Sequence, residues 1–95
     1  MADSSVVVRE TLTIKGKDGL HARPASAIVK VAKEFKADLQ IGKDDQFVSG
    51  KSIMGIMMLA ASEGSEIVVE ARGEDAAALV AALRALVDRE FRDPS

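Results

Sequence analysis

The sequence predicts an α+β open-faced sandwich, a four-stranded and largely antiparallel sheet with three helices on one face, in the order βαββαβα. Three observations predict it. Four stretches read as strands, at 6–14, 38–43, 46–49 and 66–72. Three stretches carry helical spacing, and they follow the first, third and fourth of those strands. The two middle strands are separated only by Asp44 and Asp45, a hairpin connection that makes them antiparallel neighbours.

In the first strand Val6, Val8, Leu12 and Ile14 share one parity, and Val7, Arg9, Thr11 and Thr13 share the other. That alternation marks one buried and one wet face, spoiled only by Glu10 on the inner parity. KGKDGL is a polar, Gly-containing turn. Ala25, Ile28, Val29, Ala32 and Phe35 then line one face of a helix. Pro24 falls in its first turn, where a missing N–H costs nothing. After the DLQIGK and QFVS strands, Ser52 is placed to cap a short helix over Ile53 to Ala61, with Gly64 near its end. EIVVEAR directs Ile67, Val69 and Ala71 inward. Glu74 and Asp75 precede the last helix, where the macrodipole favours negative charge. Leu79, Leu83, Leu86, Val87 and Phe91 form its apolar stripe, and RDPS is expected to fray. One domain is expected across 1–95, with an ordered core of about 5–91 and no repeat or linker.

Composition narrows function. Thirteen Lys+Arg stand against 15 Asp+Glu, so the formal charge of −2 gives no general attraction to nucleic acid or anionic membrane. Aromatics are 3%, leaving little to stack on bases. There is no cysteine, which removes thiol catalysis and zinc–thiolate sites. The start, MADSSVVVRE, lacks the pattern of a signal peptide. The longest apolar run, Ile53 to Ala61, is far short of the roughly 20 residues a membrane helix needs. A cytoplasmic monomer without metal or cofactor is the expectation.

His21, the single histidine, sits where the turn enters the first helix, in DGLHARPAS. An isolated histidine is compatible with a merely packed or surface role. A metal site would need further ligands, and a hydrolytic triad would need a nucleophile and an orienting acid. Ser26 is near in sequence, but no nucleophile elbow surrounds it. A helix N-terminus, by contrast, offers unpaired N–H groups and about half a positive charge to an anion. That field would stabilise a phosphoryl group attached to His21, and the planar guanidinium of Arg23 adds a fixed cation suited to phosphate oxygens.

GLHARPAS at 19–26 closely resembles the active-site motif of HPr, the histidine-containing phosphocarrier family of the bacterial phosphotransferase system. KSIMGIMML at 51–59 resembles the regulatory-serine region of the same family, at matching separation. The resemblance covers nearly the whole chain and implies the following roles. His21 accepts a phosphoryl group on Nδ1 from the phosphohistidine of enzyme I and passes it to enzyme IIA domains, so the chain is a stoichiometric carrier and not itself an enzyme. Arg23 contacts the phosphoryl group, and Pro24 helps set the helix start. Asp18 stands where many members carry Asn, and a carboxylate there would repel the phosphoryl group if it pointed inward. Ser52 is the residue that HPr kinase/phosphorylase would phosphorylate. Ile53, Met54 and Met57 form an apolar contact surface, with Ala22, Ser26, Lys30 and Lys33 completing it and the lysines steering the carrier to acidic partners. SIMGIMMLAASEG resembles members of a regulatory or reduced branch more than those of sugar uptake.

Read without the resemblance, the second helix is apolar nearly all round, so a helix lying on a sheet must leave part of it exposed. The competing reading of the whole chain is a small-ligand-binding regulatory domain of similar layout, in which His21 is only packed.

Overall fold

A computed structural model of the protein describes residues 6–16 and 19–91; Asp18 and the RDPS tail therefore lie outside the described residues. The elements are β1 (Val7–Thr13), α1 (Ala22–Ala32), β2 (Asp38–Lys43), β3 (Gln46–Ser49), α2 (Ile53–Met58), β4 (Glu66–Arg72) and α3 (Ala76–Asp88). The four strands form one sheet in the order β1-β4-β2-β3, and every neighbouring pair is antiparallel.

Register explains the layers. Val8, Ala71 and Leu39 lie in one row across the sheet, and Glu10, Val69, Ile41 and Val48 in another, with Leu12 opposite Ile67. These positions face the helices. The alternate positions, among them Arg9, Thr11, Gln40, Glu66 and Arg72, face water. Onto the inner face α1 lays Ala25, Ile28, Val29 and Ala32, α2 lays Ile56, and α3 lays Leu79, Val80, Leu83, Leu86 and Val87. Side chains of Ile14, Ile28, Ile41, Ile56, Ile67, Leu79 and Leu83 are essentially fully buried, each stabilising by about 1.5–3 kcal/mol relative to exposure. Glu10, the one charge on the inner parity of β1, is reached from the covering layer by Arg84 of α3, whose guanidinium pairs with its carboxylate.

All three helices end before their apolar pattern does, α1 already at Ala32 with Phe35 in the turn beyond it. The helix expected over Ile53 to Ala61 stops at Met58; Leu59 caps it and Ala60 turns into the left-handed region at φ 54. The cause is tertiary, because Leu59 and Ala61 are both buried and the Ala61 carbonyl must swing round to accept the N–H of Leu20 at 2.9 Å. Gly64 accordingly serves the following turn and not the helix end. Similarly, α3 stops at Asp88, and Glu90 and Phe91 adopt φ of 57 and 65. The Phe91 N–H returns to the Leu86 carbonyl at 2.9 Å, which lets the ring pack on the core from outside the helix.

Asp75 occupies the N-cap position of α3 but makes no side-chain bond to its own helix. Its carboxylate instead accepts the backbone N–H of Lys36 at 2.9 Å and of Ala37 at 2.8 Å, tying the start of α3 to the turn before β2. The Lys36 N–H does most to hold the carboxyl below its ordinary value, partial burial opposes it, and the Ala37 N–H adds to the lowering. A folded-state value below the unfolded one means that the stabilisation is present above the unfolded pKa of about 3.9 and is lost as pH falls through the folded value. Asp75→Asn should therefore lower the melting temperature at pH 7, with the gap from the parent protein closing as the pH drops below about 4. A gap independent of pH would show that the charge on Asp75 does not carry the tie.

Candidate functional site

The site is built on a shelf formed by residues 61–65. Ile14, just past β1, donates its N–H to the Ser65 carbonyl at 2.8 Å and accepts from the Gly64 N–H at 2.9 Å. Leu20, on the far side of the intervening turn, donates to the Ala61 carbonyl at 2.9 Å and buries its side chain in the core. Both ends of the 15–20 connection are thus fixed to one loop. Gly19 lies flat against that loop at φ 62, in the left-handed region that favours glycine.

His21 follows at once as the N-cap of α1, with φ −79 and ψ −169, and its carbonyl accepts the Ala25 N–H at 2.9 Å. The imidazole makes no capping hydrogen bond and is exposed. The N–H groups of Ala22 and Arg23 precede the first intrahelical bond and have no helical acceptor, while Pro24 has no N–H to leave unpaired. Pro24 is buried, so its fixed φ helps hold the first turn while its neighbours stay in water. Arg23 is exposed and belongs to none of the ion pairs among the described residues. An exposed imidazole, two N–H donors and a guanidinium without partners among the described residues therefore share one helical turn. Chemically this can receive and stabilise a tetrahedral oxyanion.

Further along α1, Ser26, Lys30 and Lys33 are exposed at the i, i+4, i+7 spacing that makes one stripe. α2 packs beside α1. Its N-cap is Ser52, half-buried, whose Oγ accepts the Gly55 N–H at 3.0 Å. Lys51 donates from Nζ to the Phe35 carbonyl at 3.3 Å, joining the start of α2 to the turn beyond α1. α2 buries Ile56 and exposes Ile53, Met54, Met57 and Met58, so the all-round apolar pattern resolves into a water-facing surface beside the His21 helix. Sequence reasoning singled out the first three of these and passed over Met58, although its i, i+4 spacing from Met54 carried the signal. It also missed Leu20 and Ala61, the pair that seats the histidine; the apolar residue between Gly19 and His21 was the only hint.

A polar groove of about 420 Å³ lies on the open face of the sheet, lined by Asp38, Gln40, Ser49, Lys51, Glu70 and Arg72. Neither His21 nor Ser52 borders it.

Comparison with known proteins agrees with this geometry. The family model described as the PTS HPr component phosphorylation site matches residues 8–89. The phosphocarrier protein HPr of Neisseria meningitidis is 40% identical over 85 residues, covering 90% of this chain and 96% of that protein. A crystal structure of HPr from Thermoanaerobacter tengcongensis superposes with a TM-score of 0.86 at 39% identity, covering 93% of this chain and 99% of that one. An HPr dimer from the same organism superposes with a TM-score of 0.72 at 40% identity, covering 86% and 94%. With a fold, a family model and close relatives that coincide over most of its length, the chain belongs to the HPr phosphocarrier family of the phosphotransferase system.

Proposed function

We propose that His21 accepts a phosphoryl group from the phosphohistidine of enzyme I and delivers it to enzyme IIA domains. The observation that carries this reading is the exposed imidazole at the N-cap of α1, beside two free N–H groups and an unpaired Arg23. In the transfer the donor's P–N bond breaks as a P–N bond to Nδ1 of His21 forms, and phosphorus is neither oxidised nor reduced. Arg23 and the helix N-terminus balance the phosphoryl charge without burying it. Exposure matters as much as stabilisation, since a carrier must meet a donor and then an acceptor. On this reading the chain is consumed and regenerated by its partners and works as a cytoplasmic monomer. Ala22, Ser26, Lys30 and Lys33 then frame the contact, with Ile53, Met54 and Met57 as its apolar centre, and the lysines select acidic partner surfaces. Incubation with enzyme I and phosphoenolpyruvate tests the proposal, which expects one acid-labile, base-stable phosphate per chain. A chain that takes up none is not a carrier.

Ser52 is proposed as a second phosphorylation site, for HPr kinase/phosphorylase. Its Oγ lies at the edge of the exposed Ile53 and Met54 surface, so a phosphate would add about −1.5 to −2 charges to an apolar face without entering the core. Transfer from enzyme I should slow in Ser52→Asp. Ser52→Ala should transfer normally while losing about 1 kcal/mol of stability with its Gly55 cap. Unchanged transfer in Ser52→Asp would argue against control by charge at this position.

A further inference from the structure

Three of the chain's four methionines stand on α2, and the chain has no cysteine to compete for an oxidant. Met54 is 72% exposed and Met58 67%, and they are one helical turn apart; Met57 is 40% exposed. The single buried side chain of α2 is Ile56, so the helix is held by a residue that oxidation does not touch. The two most exposed thioethers among the described residues can therefore change chemistry while the core keeps its packing.

We propose that Met54 and Met58 form an oxidation-sensitive modification site for hydroperoxides, through which sulfoxide formation closes the α2 face to its partners. The second half of this proposal rests on the reading of that face as a docking surface. A thioether lone pair attacks the terminal peroxide oxygen, the O–O bond breaks and an S–O bond forms. Sulfur is oxidised by two electrons, and the peroxide is reduced to an alcohol, or to water from hydrogen peroxide, taking up the proton. The product is polar and chiral where the apolar contact had been flexible, and methionine sulfoxide reductases reverse it. Both side chains are exposed on the same short helix as the exposed Ile53 and Met57, so two added S=O dipoles would have to be desolvated whenever a partner covered the surface.

Limited treatment of the full-length protein with hydrogen peroxide, followed by peptide mapping in a mass spectrometer, reads the chemistry directly. Met54 and Met58 should each gain one oxygen atom at about twice the rate of Met57 or faster, in line with their exposure. Equal or reversed rates would overturn the site assignment. The initial rate of phosphoryl transfer from phosphorylated enzyme I, at limiting carrier, should fall about tenfold in the oxidised protein and recover with the reductase. The double variant Met54→Leu with Met58→Leu conserves volume and apolarity, and its own transfer rate should be the same before and after the same peroxide exposure. An oxidised protein that transfers at full rate, or a double variant that loses as much as the parent, would overturn the closure. If untreated protein exchanges no phosphoryl group with enzyme I, the carrier reading fails, and the oxidation order still stands or falls on the peptide map.

Discussion

Replacing His21 with alanine should remove phosphoryl acceptance altogether and leave the fold nearly unchanged. The chain has one histidine, so no second imidazole can take its place. The ring makes no capping hydrogen bond and is exposed, so its removal sacrifices neither packing nor a satisfied donor. The change in unfolding free energy should stay within about 0.5 kcal/mol, as for an exposed side chain that makes no cap bond although its backbone stands at the N-cap. This separation makes the test sharp, because loss of the acid-labile phosphate with an unaltered urea midpoint cannot be attributed to misfolding. Arg23→Ala should behave differently in degree. Its guanidinium offers a charge-assisted hydrogen bond worth about 1.5–3 kcal/mol, so transfer should slow by roughly one to two orders of magnitude without disappearing. A His21→Ala protein that still gained an acid-labile phosphate from enzyme I would move the acceptor elsewhere and end the assignment.

The parts of this arrangement that were legible in the sequence are those governed by local rules. Alternation placed Leu12, Ile67 and Val69 on one face, and the sheet register bears this out. Helical spacing likewise found the buried stripe of α1. Ser52 was identified as a cap from residue type alone, and its Oγ does hold the Gly55 N–H. What escaped depended on contacts between distant segments. Asp75 was assigned to its own helix because its position fits the macrodipole, whereas its oxygens turn to Lys36 and Ala37. The apolar run through Ala61 suggested a helix three residues too long, since composition cannot reveal that the Ala61 carbonyl is claimed by Leu20. The same blind spot covers the site itself. Motif and charge single out His21 and Arg23, but the shelf that the preceding Leu20 is tied to comes from a loop some 40 residues away, and nothing in DGLHARPAS names it.

That shelf makes Gly19 the position where a single methyl group should do the most damage. A Cβ built on Gly19 would lie 2.4 Å from the Ala61 carbonyl oxygen and 2.9 Å from the Ser62 Cα. Both are backbone atoms, so no side-chain rotation can relieve the clash, and the 19–20 segment must lift from the loop. Lifting breaks the Leu20 N–H bond to Ala61 and disturbs the burial of Leu20, on top of the cost of placing an alanine at φ 62. Together these should cost about 2–4 kcal/mol in Gly19→Ala. Gly64→Ala is the internal control. It too has a positive φ, 89, but its Cβ would meet nothing within 4 Å, so only the conformational cost of about 1 kcal/mol remains. Because His21 is two residues beyond Gly19, the protein that still folds as Gly19→Ala should also transfer phosphoryl groups more slowly, whereas Gly64→Ala should not. Urea unfolding of both variants beside their transfer rates decides the matter. Equal losses of stability would mean that backbone conformation alone constrains Gly19, and that the Ala61 shelf does not seat the histidine.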